Sequence, residues 1–122
     1  MNILQVNFSD LIGHIFNGYD LHLALNQMGI NANQVVMDKR SNQNTVLELK
    51  KDNILQHQLR QFEKEYSISN LVFPYGEEIR NLQEYKNADI VHYHIMHNGM
   101  VSLLDYPMLM NEKKSVWTIH DP

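Results

Sequence analysis

Histidine can donate, accept or hold a proton near neutrality, and four of the 7 histidines in this chain fall in two short stretches. The first is Asn87-Ala-Asp-Ile-Val-His-Tyr-His-Ile-Met-His-Asn-Gly99; the second is Ser115-Val-Trp-Thr-Ile-His-Asp-Pro122. Both read as buried parallel strands that run into a polar loop. In open α/β sheets, ligands bind outside the carboxyl ends of the strands, where neighbouring loops converge. His94, His97, Asn98, Gly99, His120 and Asp121 therefore read as parts of one site.

The histidines differ in what each is expected to do. Ile90, His92 and His94 share one face of a strand, with Val91, Tyr93 and Ile95 on the other. His92 lies deepest and reads as a neutral, hydrogen-bonded structural residue. His94 and His97 lie nearer the loop. His120, at a strand end and followed by Asp121, is the strongest functional candidate. His14, His22 and His57 read as solvated or helix-surface residues.

A metal site is a competing chemistry, because histidines at i and i+2 on a strand match the spacing of some metallohydrolases and His120 with Asp121 could complete the shell. Such sites pair that motif with further histidines and a bridging carboxylate, which the sequence does not clearly supply; no metal is expected. The segment from Phe8 to Gly18 contains Gly13 and Gly18 but no Gly-x-Gly-x-x-Gly or Gly-Lys-Ser/Thr signature of a phosphate cradle.

These loops need a scaffold, and the hydrophobic pattern supplies one. Ile3 to Asn7 is a short apolar run suited to a central strand. Asn17 could cap a helix through its side-chain oxygen, and Leu21, Ala24, Leu25 and Met28 recur at helical spacing before Gly29. Gln34 to Asp38 is a second strand, followed by a polar connection from Lys39 to Asn44. Val46, Leu47 and Leu49 could be helical or extended. A helix from about Ile54 to Tyr66 places Leu55, Leu59, Phe62 and Tyr66 on one face, with Arg60, Glu63 and Lys64 towards solvent. Leu71 to Phe73 is a candidate third strand, ended by Pro74, and Gly76 to Tyr85 a short helix. Leu103, Leu104 and Met108 can pack on the sheet, and Pro107 predicts a break near Tyr106. Ser115 to Ile119 is the last strand. This alternation predicts an α/β fold with a doubly wound parallel sheet.

Composition is compatible with that scaffold and narrows function. The 122 residues suit a single domain, and 43% hydrophobic content with 20% charged residues is ordinary for a globular chain. A net charge of −4 with no basic face argues against nucleic-acid binding. Without cysteine there are no disulfides or thiolate metal sites. The first residues lack a signal-peptide pattern, and no apolar run is long enough to span a bilayer, so the expected location is cytoplasmic. Peripheral membrane contact is left open. The end at Asp121-Pro122, where a functional loop should begin, suggests a domain of a longer protein.

The order of Leu21-His-Leu-Ala-Leu-Asn-Gln-Met-Gly29, Ala88-Asp-Ile-Val-His-Tyr-His94, Asn98-Gly99 and Val116-Trp-Thr-Ile-His-Asp121 resembles the N-terminal half of GT-B-type retaining glycosyltransferases of family 4. The resemblance implies that residues 1–122 form a Rossmann-like, acceptor-side domain, and that a C-terminal nucleotide-sugar domain is absent from this chain. It implies transfer of a sugar from a nucleotide-sugar donor to a saccharide acceptor, as in polysaccharide synthesis, without metal or other cofactor. By the same resemblance His120 contacts the donor sugar near the reacting centre. Asn17 and Gly18 match the loop near the donor phosphates, where many members carry two adjacent glycines and this chain has Gly18 alone. Asn98 and Gly99 would shape the acceptor side, with His94 and Asp121 as neighbouring substrate contacts. The alternatives are a His-ligated metallohydrolase and a stand-alone flavodoxin-like binding domain.

Overall fold

The computed structural model describes residues 1–13 and 17–120. Five parallel strands form one sheet in the order β3-β2-β1-β4-β5. The strands are β1 (Asn2–Ser9), β2 (Asn31–Asp38), β3 (Val46–Glu48), β4 (Ile90–Tyr93) and β5 (Lys114–Trp117). The helices are α1 (Tyr19–Gln27), α2 (Asn53–Glu65), α3 (Tyr75–Asn81), α4 (Gln83–Asn87) and α5 (Tyr106–Glu112). This is the expected α/β architecture, a Rossmann-like doubly wound sheet with helices on its two faces. No helix among the described residues is long and apolar enough to cross a membrane.

The two faces of the sheet have different chemistry. Leu4 and Val6 of β1, Val35 and Met37 of β2, and Val91 and Tyr93 of β4 join Phe73, Tyr75, Ile79, Tyr85, Tyr106 and Leu109 in the buried core. The opposite face follows from side-chain alternation. There Gln5 lies in register with Gln34 on one side and His92 on the other, and both glutamines are fully buried. A helix crossing that face meets polar groups, and α1 is built accordingly. His22 is fully buried, its Nε2 2.9 Å from the Thr45 hydroxyl, and the Asn26 amide donates to the carbonyls of His22 and Ala32. His22 is thus no helix-surface residue. Of the apolar residues that recur at helical spacing, Leu21, Ala24 and Met28 are exposed and Leu25 is half-buried. Periodicity finds the helix, but the polar sheet face decides its rotation.

The third strand is Val46–Glu48, paired with β2, and not Leu71 to Phe73. The backbone of Leu71 is occupied by side chains instead: its N–H donates to Glu63 and its carbonyl accepts from Ser102. Phe73 nevertheless enters the core. Helix α2 starts at an Asp52 cap that accepts from the amides of Ile54 and Leu55. Of its apolar stripe only Leu59 packs on the core, while Leu55, Phe62 and Tyr66 are exposed. Arg60 and Lys64 are exposed as expected and Glu63 is half-buried; Arg60 and Glu63 also hold backbone groups of the neighbouring loops. Gly76 to Tyr85 is divided between α3 and α4 by the extended Leu82. The break near Tyr106 is present, for α5 begins there with Pro107 in its first turn, where a missing donor costs nothing. Leu103 and Leu104 are exposed in a 3₁₀ turn; of the expected trio only Met108 packs on the core.

Strand β4 is interior to the sheet, but β5 forms its edge and every residue of it is exposed. An apolar run shows that burial would be tolerated; whether it occurs depends on the elements packed beside it.

Candidate functional site

The strand order reverses direction between β1 and β4, since the chain leaves β1 towards β2 on one side and later lays β4 on the other. The crevice outside the carboxyl ends of these two strands is where such sheets bind ligands. Two adjoining hollows open there. One, of about 150 Å³, is lined by His94, His97, Trp117, Thr118 and His120 among others; the second, of about 120 Å³, lies against Ser9, Ile12, Asn17 and Asn98. Ile95 lines both. A larger hollow of about 340 Å³ surrounds Arg80, whose guanidinium pairs with Glu77 and Glu112. It lies at the amino ends of β4 and β5, away from the histidines.

The histidines form a chain of ring contacts. His92 and His94 have centroids 4.1 Å apart, and His94 Nδ1 lies 3.2 Å from His120 Nε2. His92 Nε2 is 2.7 Å from the Thr118 hydroxyl, but His92 is half-buried and His94, not His92, is the deeper of the two. The position of His94 is tightly defined by its backbone. Its N–H donates to the Val6 carbonyl and its carbonyl accepts from the Trp117 indole N–H, while that indole meets the Tyr106 ring edge-on.

On its far side the buried His94 ring rests on Gly18, the residue that precedes α1. A Cβ added at Gly18 would lie 2.3 Å from His94 Nε2, and that nitrogen has no hydrogen-bond partner among the described residues. Gly18 also has φ +85°. Both the backbone conformation and the approach of the ring require glycine here.

Burial holds the His94 pKa down to about 3, helped by the neighbouring His92 and His120. Burial also lowers that of His22. Both are neutral in the folded protein, whereas in the unfolded chain they take up protons below about pH 6.5. The contribution to stability is therefore complete above about pH 6.5 and is lost on acidification towards the folded values, at up to about 1.4 kcal/mol per pH unit for each group. Urea unfolding at falling pH is expected to show this slope between about pH 6.5 and 5, and H94N to make it shallower. An unchanged slope in H94N would show that His94 does not carry the effect.

Around Gly18 the chain is held by two buried polar side chains. The Asn17 amide donates to the carbonyls of Ser9, Asp10 and Ile12 at 2.7, 2.8 and 2.7 Å, and its oxygen accepts from the Tyr19 N–H at 3.1 Å. Asn17 thus organises the loop, and the helix cap itself is Gly18. Asp10 is fully buried and accepts from the backbone N–H groups of Leu11, Arg40 and Ser41, joining this loop to the one after β2. Burial alone would raise its pKa, but the Ser41 hydroxyl and these three amides outweigh it and lower the value.

Beyond β4, Asn98 and Gly99 take φ +72° and +86°, turning the chain back over the crevice. Helix α2 fixes this turn: Arg60 donates to the Asn98 carbonyl and Gln56 to that of Gly99. At Gly99 a Cβ would meet Arg60 and Phe73 at 3.0–3.1 Å.

Of the residues singled out from sequence, Gly18, His94 and His120 come together, Asn17 and Asn98 border the second hollow, and Gly99 shapes the turn beside it. Asp121, like His14, lies outside the described residues. Ser9 and Asp10 carry no motif in the sequence; their burial depends on loops distant in sequence. Among the described residues, no group of three or more His, Asp or Glu side chains is placed to hold a metal ion.

The fold is that of an α/β protein with a crevice at the switch point of a doubly wound sheet. Compared with protein-family models, curated proteins and solved structures, the chain matches none of them.

Proposed function

We propose that this chain is the acceptor-side domain of a retaining, GT-B-type glycosyltransferase, moving a sugar from a nucleotide-sugar to a saccharide. The observation that carries the reading is the meeting of three separate segments. His94 and His120 come from two of the stretches that carry the resemblance and Gly18 from the loop it matches to the donor phosphates, and the three form one continuous contact at the carboxyl ends of the strands.

The contact suits such a reaction. His120 Nε2 is engaged with His94 Nδ1; in this reading the other ring nitrogen would face the donor sugar, and the tautomer of the pair would decide whether it donates or accepts. A hydrogen bond from it to a sugar hydroxyl would hold the ring in place while the bond from the anomeric carbon to the leaving phosphate oxygen breaks. The new bond to the acceptor oxygen forms on the same face, and the acceptor proton passes to the departing phosphate. Positioning and electrostatics supply most of the acceleration in a transfer of this kind. The donor nucleotide would be held by a second domain of the same protein, and no metal is needed at the histidines. We place the reaction in the cytoplasm.

His120→Ala, made in the polypeptide as its own cell produces it, is expected to lower turnover of a nucleotide-sugar by tenfold or more, about 1.4 kcal/mol of transition-state stabilisation. Steady-state kinetics with a panel of nucleotide-sugars checks this. Unchanged turnover in the variant, or no turnover of any donor by the parent, would sink the assignment.

A further inference from the structure

Two asparagines in this chain are followed by glycine, Asn17-Gly18 and Asn98-Gly99. In such a pair the peptide nitrogen of the glycine can attack the side-chain carboxamide of the asparagine, because no Cβ on the following residue screens that nitrogen. The reaction needs water at the site and freedom for the carboxamide to swing onto the nitrogen. The fold treats the two pairs in opposite ways.

Asn17 is 1% exposed, and its carboxamide is held at both ends: the nitrogen donates to the carbonyls of Ser9, Asp10 and Ile12, and the oxygen accepts from the Tyr19 N–H. Its carbon cannot swing onto the Gly18 nitrogen until these bonds break, which would leave buried carbonyls without partners. Asn98 stands in solvent, in the turn that follows β4. Its N–H donates to the Asn70 side chain at 3.2 Å and its carbonyl accepts from Arg60 at 3.0 Å; both bonds lie at the exposed surface, where local opening is cheap. The Arg60 contact has a chemical effect as well. A guanidinium on the carbonyl oxygen of the Asn98–Gly99 peptide stabilises the negative charge that this peptide gains when its nitrogen loses a proton.

We propose that Asn98 is a site of spontaneous deamidation through a succinimide, and that the fold protects Asn17. Water or hydroxide takes the proton of the Gly99 N–H, the nitrogen bonds to Cγ of Asn98, and the bond from Cγ to Nδ2 breaks with release of ammonia. A water molecule then opens the ring at either carbonyl. One opening gives aspartate, the other isoaspartate, in which the main chain runs through the side-chain carbon; no oxidant or reductant takes part. Either product puts a carboxylate beside Arg60. Isoaspartate also adds a methylene to the main chain of the turn that seats Gly99 against Arg60 and Phe73, where even a Cβ would come within 3.0–3.1 Å of them. Charge and shape therefore change at the border of the second hollow, which Asn98 lines, and this holds independently of the transferase reading.

The test is to incubate the purified protein at neutral pH, folded and in parallel unfolded in urea, and to digest samples at intervals for mass spectrometry. In the folded protein the peptide carrying Asn98 is expected to gain one mass unit about tenfold faster, or more, than the peptide carrying Asn17. In urea the two should convert at rates within about threefold of each other, because the barrier that the fold adds at Asn17 is gone. An isoaspartate-specific methyltransferase should label the converted Asn98 peptide. An Asn98 that stays intact in the folded protein, whether or not it converts in urea, would overturn the proposal. So would an Asn17 that converts as fast as Asn98 in the folded protein, or an aspartate product with no isoaspartate.

Discussion

Gly18→Ala is expected to destabilise the protein by about 2–5 kcal/mol, a large part of the total stability of a single domain. Two penalties add. The residue has φ +85°, where an L side chain is strained by about 1–2 kcal/mol. The new methyl would also stand 2.3 Å from His94 Nε2, far inside contact distance, and the ring has little freedom to withdraw. Its backbone is tied to Val6 on one side and to the Trp117 indole on the other. The urea midpoint reports the loss, provided the slope is unchanged. Pairing the substitution with His94→Ala separates the penalties: removing the ring relieves the clash but not the strain, so the two changes should couple favourably by about 1 kcal/mol or more. Strict additivity would mean that the ring and the glycine are not in the contact described.

Asn17→Ala should cost about 2–4 kcal/mol, because it strips partners from several buried backbone groups at once. One amide, with two N–H bonds, serves the carbonyls of Ser9, Asp10 and Ile12, while its oxygen serves the Tyr19 N–H. Asn17→Asp is the sharper test. It keeps the acceptor for Tyr19 but turns a carboxylate towards three carbonyl oxygens, and should be at least as damaging as alanine. Hydrogen exchange at the Tyr19 amide distinguishes the two, since protection should be lost in the alanine variant and retained in the aspartate one. Loss of stability below about 0.5 kcal/mol in both would mean that the loop is held by other contacts.

These two positions also show the reach of sequence reasoning. Asn17 and Gly18 stood out as a turn before a helix, because glycine and asparagine have local conformational preferences that need no tertiary partner. The aim of the asparagine amide was not legible: it reaches back over the loop to carbonyls up to eight residues earlier, and only the closed loop brings these within reach. Likewise the spacing of His92 and His94 placed both on one face of a strand. The Gly18 methylene against that face belongs to a segment about 75 residues away.

What the sequence by itself determined is the class of the fold, the run of β1, β2 and β4 as parallel strands, and the gathering of polar residues at their carboxyl ends. Period-2 and helical patterns are local, and a strand with two apolar faces implies helices on both sides. The tertiary structure alone decided the rotation of α1, which buries His22 and exposes Leu21 and Met28, and the outward turn of the α2 stripe. It also chose Val46–Glu48 over Leu71 to Phe73 as the third strand, and made β5 an exposed edge. In each case the competing arrangements had nearly the same local preference. At the α2 stripe and the third strand the outcome goes with side-chain hydrogen bonds to backbone groups far apart in the chain, Gln56 and Arg60 at the Asn98–Gly99 turn and Glu63 and Ser102 at Leu71.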